Sequence, residues 1–119
     1  MPRILLAEDD DSLRGFLVRA LERAGYEVEA CADGDAAAAA LDRDWDLLLT
    51  DIVMPGLDGI EVARQAAARQ PGLRIMFITG FAAVALAANE AAVPGAKVLS
   101  KPIHLREIVA EVERMLVAA

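Results

Sequence analysis

Short apolar runs alternate along the chain with longer segments in which apolar residues recur at helical spacing. Five of these runs are too short for helices and predict β-strands. They are residues 4–7, 26–31, 47–49, 75–78 and 98–99. The second run alternates apolar with charged residues, which is typical of an edge strand. The first, third and fourth runs are continuously apolar and predict strands that are buried on both faces.

The segments between these runs have the spacing of amphipathic helices. Over residues 13–21, apolar side chains recur every three or four positions, with Asp11 or Ser12 as the start signal and Gly25 as the stop signal. Further helices are predicted over 34–43, with Asp33 or Asp35 as the N-cap, and over 58–69, 81–92 and 105–116.

Strands that alternate with helices form a parallel sheet through right-handed crossovers. We therefore expect an α/β fold with a doubly wound five-stranded parallel sheet. The flavodoxin-like strand order 2-1-3-4-5 leaves the alternating second strand at an edge. It also places the ligand crevice at the carboxyl ends of the first and third strands.

The length and charge of the chain narrow its possible functions. Its 119 residues suffice for one domain, and we expect 1–119 to be a single domain. A formal net charge of −7 disfavours nucleic acid as a partner. Since no apolar stretch is long enough to span a membrane, we expect no membrane partner and a cytoplasmic location. Cys31, the single cysteine, is expected to be a buried filler.

Ionisable and hydroxyl-bearing residues occur at the ends of four predicted strands. Glu8 and Asp9 end the first strand and Asp51 the third, whereas Thr79 ends the fourth and Lys101 lies at the end of the fifth. Three carboxylates at one edge would repel one another unless a cation lay among them, and Mg²⁺ suits such oxygen ligands. Lys101 and Thr79 would supply a charge and a donor for phosphoryl oxygens. We therefore expect Asp51 to be a nucleophile that forms an acyl phosphate.

Some of these residues also have a purely structural interpretation. Acidic residues after a strand commonly cap the next helix, which is the favoured role for Asp10 and Asp11. Thr79 has the β-branched shape of an ordinary strand residue. The functional interpretation depends on the convergence of four strand ends and not on any one residue.

Four segments, in order, resemble the receiver domains of bacterial two-component response regulators, and the resemblance covers essentially the whole chain. They are ILLAEDDDSLR, LLLTDIVMPGLDG, FITG and VLSKPI. The resemblance implies a CheY-like fold with Asp51 as the phosphoacceptor. It implies that Asp9 and the Val53 carbonyl bind Mg²⁺ and that Glu8 acts through water. Lys101 would form a salt bridge with the phosphoryl group.

Two positions depart from the family pattern. Glu8 stands where aspartate is commoner, and a role through water tolerates the longer side chain. Val98 occupies a position where the family commonly has an aromatic residue that swings inward as Thr79 engages the phosphoryl group. Phe81 is therefore a candidate for the residue that moves on phosphorylation. The family also implies that the Lys101–Pro102 peptide bond is cis.

The first strand begins close to Met1 and the last predicted helix runs nearly to Ala119, so we expect output through protein contacts and not through an effector domain. Segments RILLAEDDDSLR, FITGFAAVAL and AKVLSKPIHLR resemble stand-alone alphaproteobacterial receivers. That resemblance implies phosphoryl input from a histidine kinase or histidine phosphotransferase. It also implies an unphosphorylated form that engages the ClpXP protease as an adaptor in cell-cycle control.

The sequence disfavours two other functions. A phosphohydrolase with Asp51 as the nucleophile would need a second acid where Val53 stands. A flavodoxin-like cofactor binder would need a phosphate-binding loop, whereas residues 8–11 are all acidic. A receiver that shuttles phosphoryl groups and a degenerate receiver that only binds partners both stay open. We expect no enzymatic activity beyond self-catalysed phosphoryl transfer and loss.

Overall fold

Five parallel strands form one sheet in the order β2-β1-β3-β4-β5, which confirms the predicted topology. The strands are β1 (Arg3–Ala7), β2 (Glu27–Cys31), β3 (Leu47–Thr50), β4 (Arg74–Thr79) and β5 (Lys97–Ser100). This computed structural model describes residues 1–80, 93, 95–102 and 104–117. As the alternating pattern predicted, β2 lies at an edge of the sheet.

The crossovers between strands are helical. They include α1 (Asp11–Arg23), α2 (Gly34–Ala39) with a following 3-10 turn (Ala40–Asp42), and α3 (Gly59–Arg69), and a C-terminal helix spans Leu105–Val117. The helix predicted over 81–92 lies outside the described residues. No helix in the described part of the chain has the length and hydropathy needed to cross a bilayer.

The predicted helix over 34–43 is wrong at its end, since α-helix stops at Ala39 and a tighter turn follows. The Ala40 carbonyl accepts bonds from the backbone N–H of Arg43, at 3.3 Å, and from the indole N–H of Trp45, at 2.8 Å. These two donors replace the helical partner that an extended α2 would supply.

The first three helices all begin at the carboxyl-terminal edge of the sheet with an aspartate N-cap. The side chains of Asp10, Asp33 and Asp58 accept a hydrogen bond from the backbone N–H three residues further on, at 2.8–2.9 Å. The capping role expected for Asp10 is therefore confirmed, whereas Asp11 is the first helical residue and neither Asp11 nor Ser12 is the N-cap. An N-cap needs non-helical backbone angles, and Asp10 has them (φ −75°, ψ 113°), whereas Asp11 is already helical.

Alternate strand residues face two separate apolar clusters. The cluster under α2 and α3 is rich in small residues and includes Leu5, Leu48, Phe77, Ala37, Ala63 and Ala66. The cluster under α1 and the C-terminal helix has larger side chains, among them Ile4, Leu6, Leu17, Leu21, Ile108 and Val112. Because both faces are covered, β1, β3 and β4 are almost entirely buried, as their continuous hydropathy predicted. Cys31 is buried, also as expected.

The amino-terminal edge of the sheet is closed by Trp45, which is buried. The guanidinium groups of Arg3 and Arg43 lie 4.6 and 5.2 Å from the centroid of its ring. Each arginine also pairs with a glutamate of β2: Arg3 with Glu27 at 3.5 Å, and Arg43 with Glu29 at 2.5 Å. Arg43 also lies 3.7 Å from Asp42, so each arginine at this edge has at least one acidic partner.

Candidate functional site

The register of the parallel strands brings the predicted site residues together. Ala7 of β1 lies opposite Thr50 of β3, so the residues that follow them, Glu8 and Asp51, emerge side by side. The backbone N–H of Asp51 continues this pairing by donating to the Ala7 carbonyl at 2.9 Å. Each strand therefore delivers one carboxylate to the same point on the carboxyl-terminal edge.

Three carboxylates converge there, as the sequence predicted. Glu8, Asp9 and Asp51 each offer an oxygen atom, and these atoms all lie within 4.8 Å of one another. Glu8 is 1% exposed and Asp51 is 8% exposed, whereas Asp9 is open to solvent. Two carboxylates removed from water and one at the surface form a pocket that strongly favours a cation.

Lys101 provides a single positive charge at this pocket. Its Nζ lies 2.8 Å from Asp51 Oδ2 and 3.1 Å from Glu8 Oε1. The backbone N–H of Lys101 donates to the Thr79 carbonyl at 2.8 Å, which ties the lysine to the end of β4. The Lys101–Pro102 peptide bond is cis, as predicted. One ammonium group facing three carboxylates leaves the pocket with a surplus of negative charge.

Backbone donors hold the other oxygens of the two buried carboxylates. Asp51 Oδ1 accepts from the N–H of Ile52 at 2.7 Å, and Glu8 Oε2 accepts from the N–H of Asp10 at 3.1 Å. Each carboxylate thus has Lys101 on one oxygen and a backbone N–H on the other. The backbone partner of each group does not move with side-chain rotamers and therefore fixes the orientation of the carboxylate.

The surroundings change the pKa values of Glu8 and Lys101. Burial raises the pKa of Glu8 above its ordinary 4.5, and the negative charge of Asp51 raises it further. The hydrogen bond from the Asp10 N–H and the positive charge of Lys101 lower it, but they do not cancel the increase. Partial burial lowers the pKa of Lys101, but the hydrogen bonds and charges of Asp51 and Glu8 outweigh it and raise that pKa above 10.5. At neutral pH Lys101 is therefore a cation.

Two glycines allow the loop between β3 and α3 to pack closely against its neighbours, because they have no side chain. A Cβ on Gly59 would lie 1.9 Å from the Asp51 carbonyl oxygen, and a Cβ on Gly34 would lie 1.7 Å from the Leu57 carbonyl oxygen. The Thr50 hydroxyl donates to the same Asp51 carbonyl at 2.7 Å. Any side chain at either glycine would force this loop, and with it Asp51, away from its position.

The remaining predicted site residues lie around the same edge. Thr79 is the last residue of β4 and is fully buried. Val53 lies in the loop after β3 and is 59% exposed. Val98, at the position where the family commonly has an aromatic residue, is partly buried and packs against the cluster under α2 and α3. Phe81 lies outside the described residues.

Sequence reasoning missed Arg14. Its Nη1 donates to the Glu8 carbonyl at 3.0 Å and its Nη2 donates to Asp11 Oδ1 at 2.6 Å. One signal pointed to it: positive side chains are unfavourable near the N-terminus of a helix because of the helix dipole. An arginine in the fourth position of α1 therefore suggests a specific partner.

Comparisons with known proteins agree with this geometry. The response regulator receiver domain family matches residues 4–113. The response regulator receiver protein CpdR of Brucella abortus is 59% identical over 120 residues, and the alignment covers 100% of both chains. The sensor kinase CckA of the same organism is 34% identical over 95% of this chain, which corresponds to 12% of that kinase.

A solved structure supports the same assignment. The response regulator protein TrrA from Thermotoga maritima, in complex with Mg(2+)-BeF, has a TM-score of 0.85 and 27% sequence identity, covering 98% of this chain and 100% of that one. The family match includes residues of all five strands and the edge that carries Glu8, Asp51 and Lys101. The chain belongs to the response regulator receiver domain family and is a two-component signalling protein.

Proposed function

We propose that residues 1–119 form a single receiver domain in which Asp51 accepts a phosphoryl group from a histidine kinase or histidine phosphotransferase. One observation carries the proposal: Lys101 Nζ lies 2.8 Å from Asp51 Oδ2, inside a cluster that also holds Glu8 and Asp9. A nucleophilic carboxylate, a cation for phosphoryl oxygens and a set of oxygen ligands meet at one point.

The donor set fits Mg²⁺. Its members are carboxylate oxygens, the ligands that this hard cation prefers, and they have only one ammonium group among them. Asp9, Asp51 and the Val53 carbonyl would bind the ion directly, and Glu8 would bind it through water. When bound, Mg²⁺ neutralises charge on the phosphoryl oxygens. The complex of TrrA with Mg(2+)-BeF supports this choice of cation.

Phosphoryl transfer forms one bond and breaks another. A carboxylate oxygen of Asp51 attacks phosphorus while the bond from phosphorus to the donor imidazole nitrogen breaks, and that nitrogen keeps the electron pair. Lys101 moves from the carboxylate to the new phosphoryl oxygens, and the Thr79 hydroxyl donates to another. The product is an acyl phosphate on Asp51.

The phosphoryl group is lost by hydrolysis, a second transfer in which water is the nucleophile and Asp51 is the leaving group. Water attacks phosphorus, the bond from phosphorus to the Asp51 oxygen breaks, and inorganic phosphate leaves as the carboxylate is restored. The chain thus supplies its own groups for both steps and acts on no substrate other than its own aspartate. In this sense its function is signalling, with self-catalysed transfer and hydrolysis.

The output of the switch is a change in protein contacts. Identity of 59% to CpdR over the whole length supports a stand-alone receiver with the same partners. We propose that the unphosphorylated chain acts as an adaptor for the ClpXP protease in cell-cycle control and that phosphorylation of Asp51 ends this contact. The cytoplasmic location expected from the sequence stays a prediction.

Mass spectrometry tests the phosphorylation. Protein incubated with acetyl phosphate and Mg²⁺ should gain about 80 Da, the mass of one phosphoryl group, on a peptide that contains Asp51. The Asp51→Asn variant should gain nothing, and Asp46→Asn, at the opposite edge of the sheet, should gain as much as wild type. Labelling of Asp51→Asn at the wild-type rate would overturn the assignment.

Binding measurements test the output. Immobilised protein should retain purified ClpX without phosphodonor and release it when Mg²⁺ and beryllofluoride are added. Asp51→Asn should retain ClpX under both conditions. Rapid transfer of label from the chain to a histidine phosphotransferase, with no ClpX retained by either form, would instead support a phosphoryl shuttle.

A further inference from the structure

Arg14 contacts the backbone on both sides of Asp9. Its backbone N–H donates to the Asp10 carbonyl at 2.8 Å, and its guanidinium Nη1 donates to the Glu8 carbonyl at 3.0 Å. Asp9 lies between these two residues and its own side chain is open to solvent. Of the two peptide groups that flank Asp9, the one with the Glu8 carbonyl is held by the Arg14 side chain. The other donates its N–H, that of Asp10, to Glu8 Oε2 at 3.1 Å.

We infer that Arg14 is a positioning residue that fixes the turn between β1 and α1, so that the carboxylates of Glu8 and Asp9 stay directed at the cation pocket. The inference depends on the proposed function, because Mg²⁺ binding is the property that Arg14 supports. Arg14 itself touches neither the ion nor the phosphoryl group in this role.

The two bonds of the guanidinium group differ in their surroundings. Asp11, which accepts from Nη2, has a side chain that is 88% exposed, so this ion pair adds little to stability. The Glu8 carbonyl lies at the end of a buried strand, and the Arg14 side chain that reaches it is only 22% exposed. The contact with Glu8 is therefore the important one, and the bond from Nη2 to Asp11 limits the rotation of the same guanidinium group.

Glu8 itself is held from four sides. Its backbone N–H donates to the Cys31 carbonyl at 3.1 Å, and Arg14 binds its carbonyl oxygen. Its two carboxylate oxygens accept from Lys101 and from the Asp10 N–H. Of these four bonds, only that from Arg14 fixes the peptide plane leading to Asp9 without occupying a carboxylate oxygen that a cation would use.

Charge alone predicts the opposite effect of removing Arg14. A positive side chain beside three carboxylates opposes the binding of a second cation, so its loss should tighten Mg²⁺ binding if electrostatics dominate. Its loss should weaken Mg²⁺ binding if positioning dominates. The sign of the change in Mg²⁺ affinity therefore separates the two roles.

Isothermal calorimetry of Mg²⁺ binding provides the test, with urea unfolding of each variant alongside. Arg14→Ala should raise the Kd for Mg²⁺ by about tenfold, the lower end of the effect of removing a partner of a metal ligand. Arg14→Lys keeps the charge but has a single ammonium that cannot span both acceptors, so we expect its Kd to rise by at least about threefold. Wild-type affinity in Arg14→Lys, or unchanged or tighter binding in Arg14→Ala, would overturn the inference.

Arg19→Ala is the matched control. Arg19 lies on the same helix with its guanidinium 5.0 Å from the Phe16 ring and is exposed. Its removal takes away the same charge from α1 and should leave the Kd for Mg²⁺ unchanged. A tenfold rise in this control as well would assign the effect to a general disturbance of α1 and overturn the positioning role of Arg14.

Labelling kinetics add a measurement that a general loss of stability would not reproduce. In Arg14→Ala, the Mg²⁺ concentration that gives half-maximal labelling by acetyl phosphate should rise with the Kd, while the maximal rate stays within about twofold of wild type. A fall in the maximal rate alone would overturn the inference and leave the proposed function standing. Wild-type protein that binds Mg²⁺ and acquires no adduct would overturn the proposed function only.

Discussion

The two edges of the sheet use ionisable residues in opposite ways. At the amino-terminal edge, Arg3 pairs with Glu27 and Arg43 with Glu29, and all four side chains are exposed. At the carboxyl-terminal edge, buried carboxylates share one lysine and keep a surplus of negative charge. Water stabilises the exposed charges without a further partner, whereas the buried surplus requires a cation from outside. The burial of unneutralised charge, more than the number of charges, distinguishes the functional edge.

The largest expected effect concerns the glycines of the two edges. Gly34→Ala places a methyl group on a carbonyl oxygen of the loop after β3, so we expect the free energy of unfolding to fall by about 3 kcal/mol. Gly72, before β4 at the other edge, has open space around it. Gly72→Ala should change that free energy by less than about 1 kcal/mol. Equal losses in urea unfolding would show that the carboxyl-terminal edge is not the more tightly packed one.

The next effect concerns the charges themselves. Lys101→Ala leaves Glu8 and Asp51 without their shared cation, and we expect a loss of about 2 kcal/mol in the free energy of unfolding, less than for a fully buried pair because Lys101 is partly exposed. Glu29→Ala removes one exposed pair and should cost less than about 1 kcal/mol.

Adding Mg²⁺ should distinguish the stability of Lys101→Ala from that of Glu29→Ala more clearly. Because it binds the folded state, it should restore stability to Lys101→Ala by more than it stabilises wild type, where the lysine competes for the same oxygens. Mg²⁺ should stabilise Glu29→Ala by the same amount as it stabilises wild type. Urea unfolding with and without Mg²⁺ measures both, and an identical gain in all three proteins would contradict the shared-cation arrangement.

The smallest effect is a difference in pKa between two glutamates. Burial raises the pKa of Glu8 above 4.5, whereas the hydrogen bond from Arg43 lowers the pKa of Glu29 below 4.5. Carboxyl carbon NMR titration should place the two on opposite sides of that value. Shifts in the same direction would remove the electrostatic contrast between the edges.

The signs of these shifts set the pH dependence. The folded state keeps the Glu8 proton to higher pH than the unfolded state, so this group makes the metal-free protein less stable as pH rises from 4.5 through the folded pKa of Glu8. Mg²⁺ binding should strengthen over the same range, because the proton must leave. Glu29 acts below 4.5, where falling pH removes its small stabilising contribution.

The sequence predicted the strands and the main site residues because both follow from local patterns. Glu8, Asp51 and Lys101 each lie at the end of an apolar run, and the parallel register necessarily brings such ends together. The fold, the edge position of β2 and the convergence of carboxylates were therefore accessible without coordinates.

Features that depend on the conformation of the turns could not be predicted from the sequence. Residues 8–11 are all acidic, and only the backbone angles of Asp10 distinguish the N-cap from its neighbours. Arg14 contacts the Glu8 carbonyl, and Gly34 lies close to Leu57. The spacing of apolar residues along the chain does not predict either contact. The alanine run likewise predicted too long a helix, because propensity contains no information about the Trp45 indole.

The fluorescence of Trp45 can report on the amino-terminal edge of the sheet. Trp45 is the single tryptophan of the chain, and its emission depends on the Ala40 carbonyl and the two guanidinium groups around it. Asp51 lies six positions after it in the sequence, which corresponds to roughly 20 Å of extended chain. Quenching or a spectral shift on addition of beryllofluoride would therefore report motion carried the length of β3, whereas a constant spectrum would confine the switch to the edge where the phosphoryl group arrives.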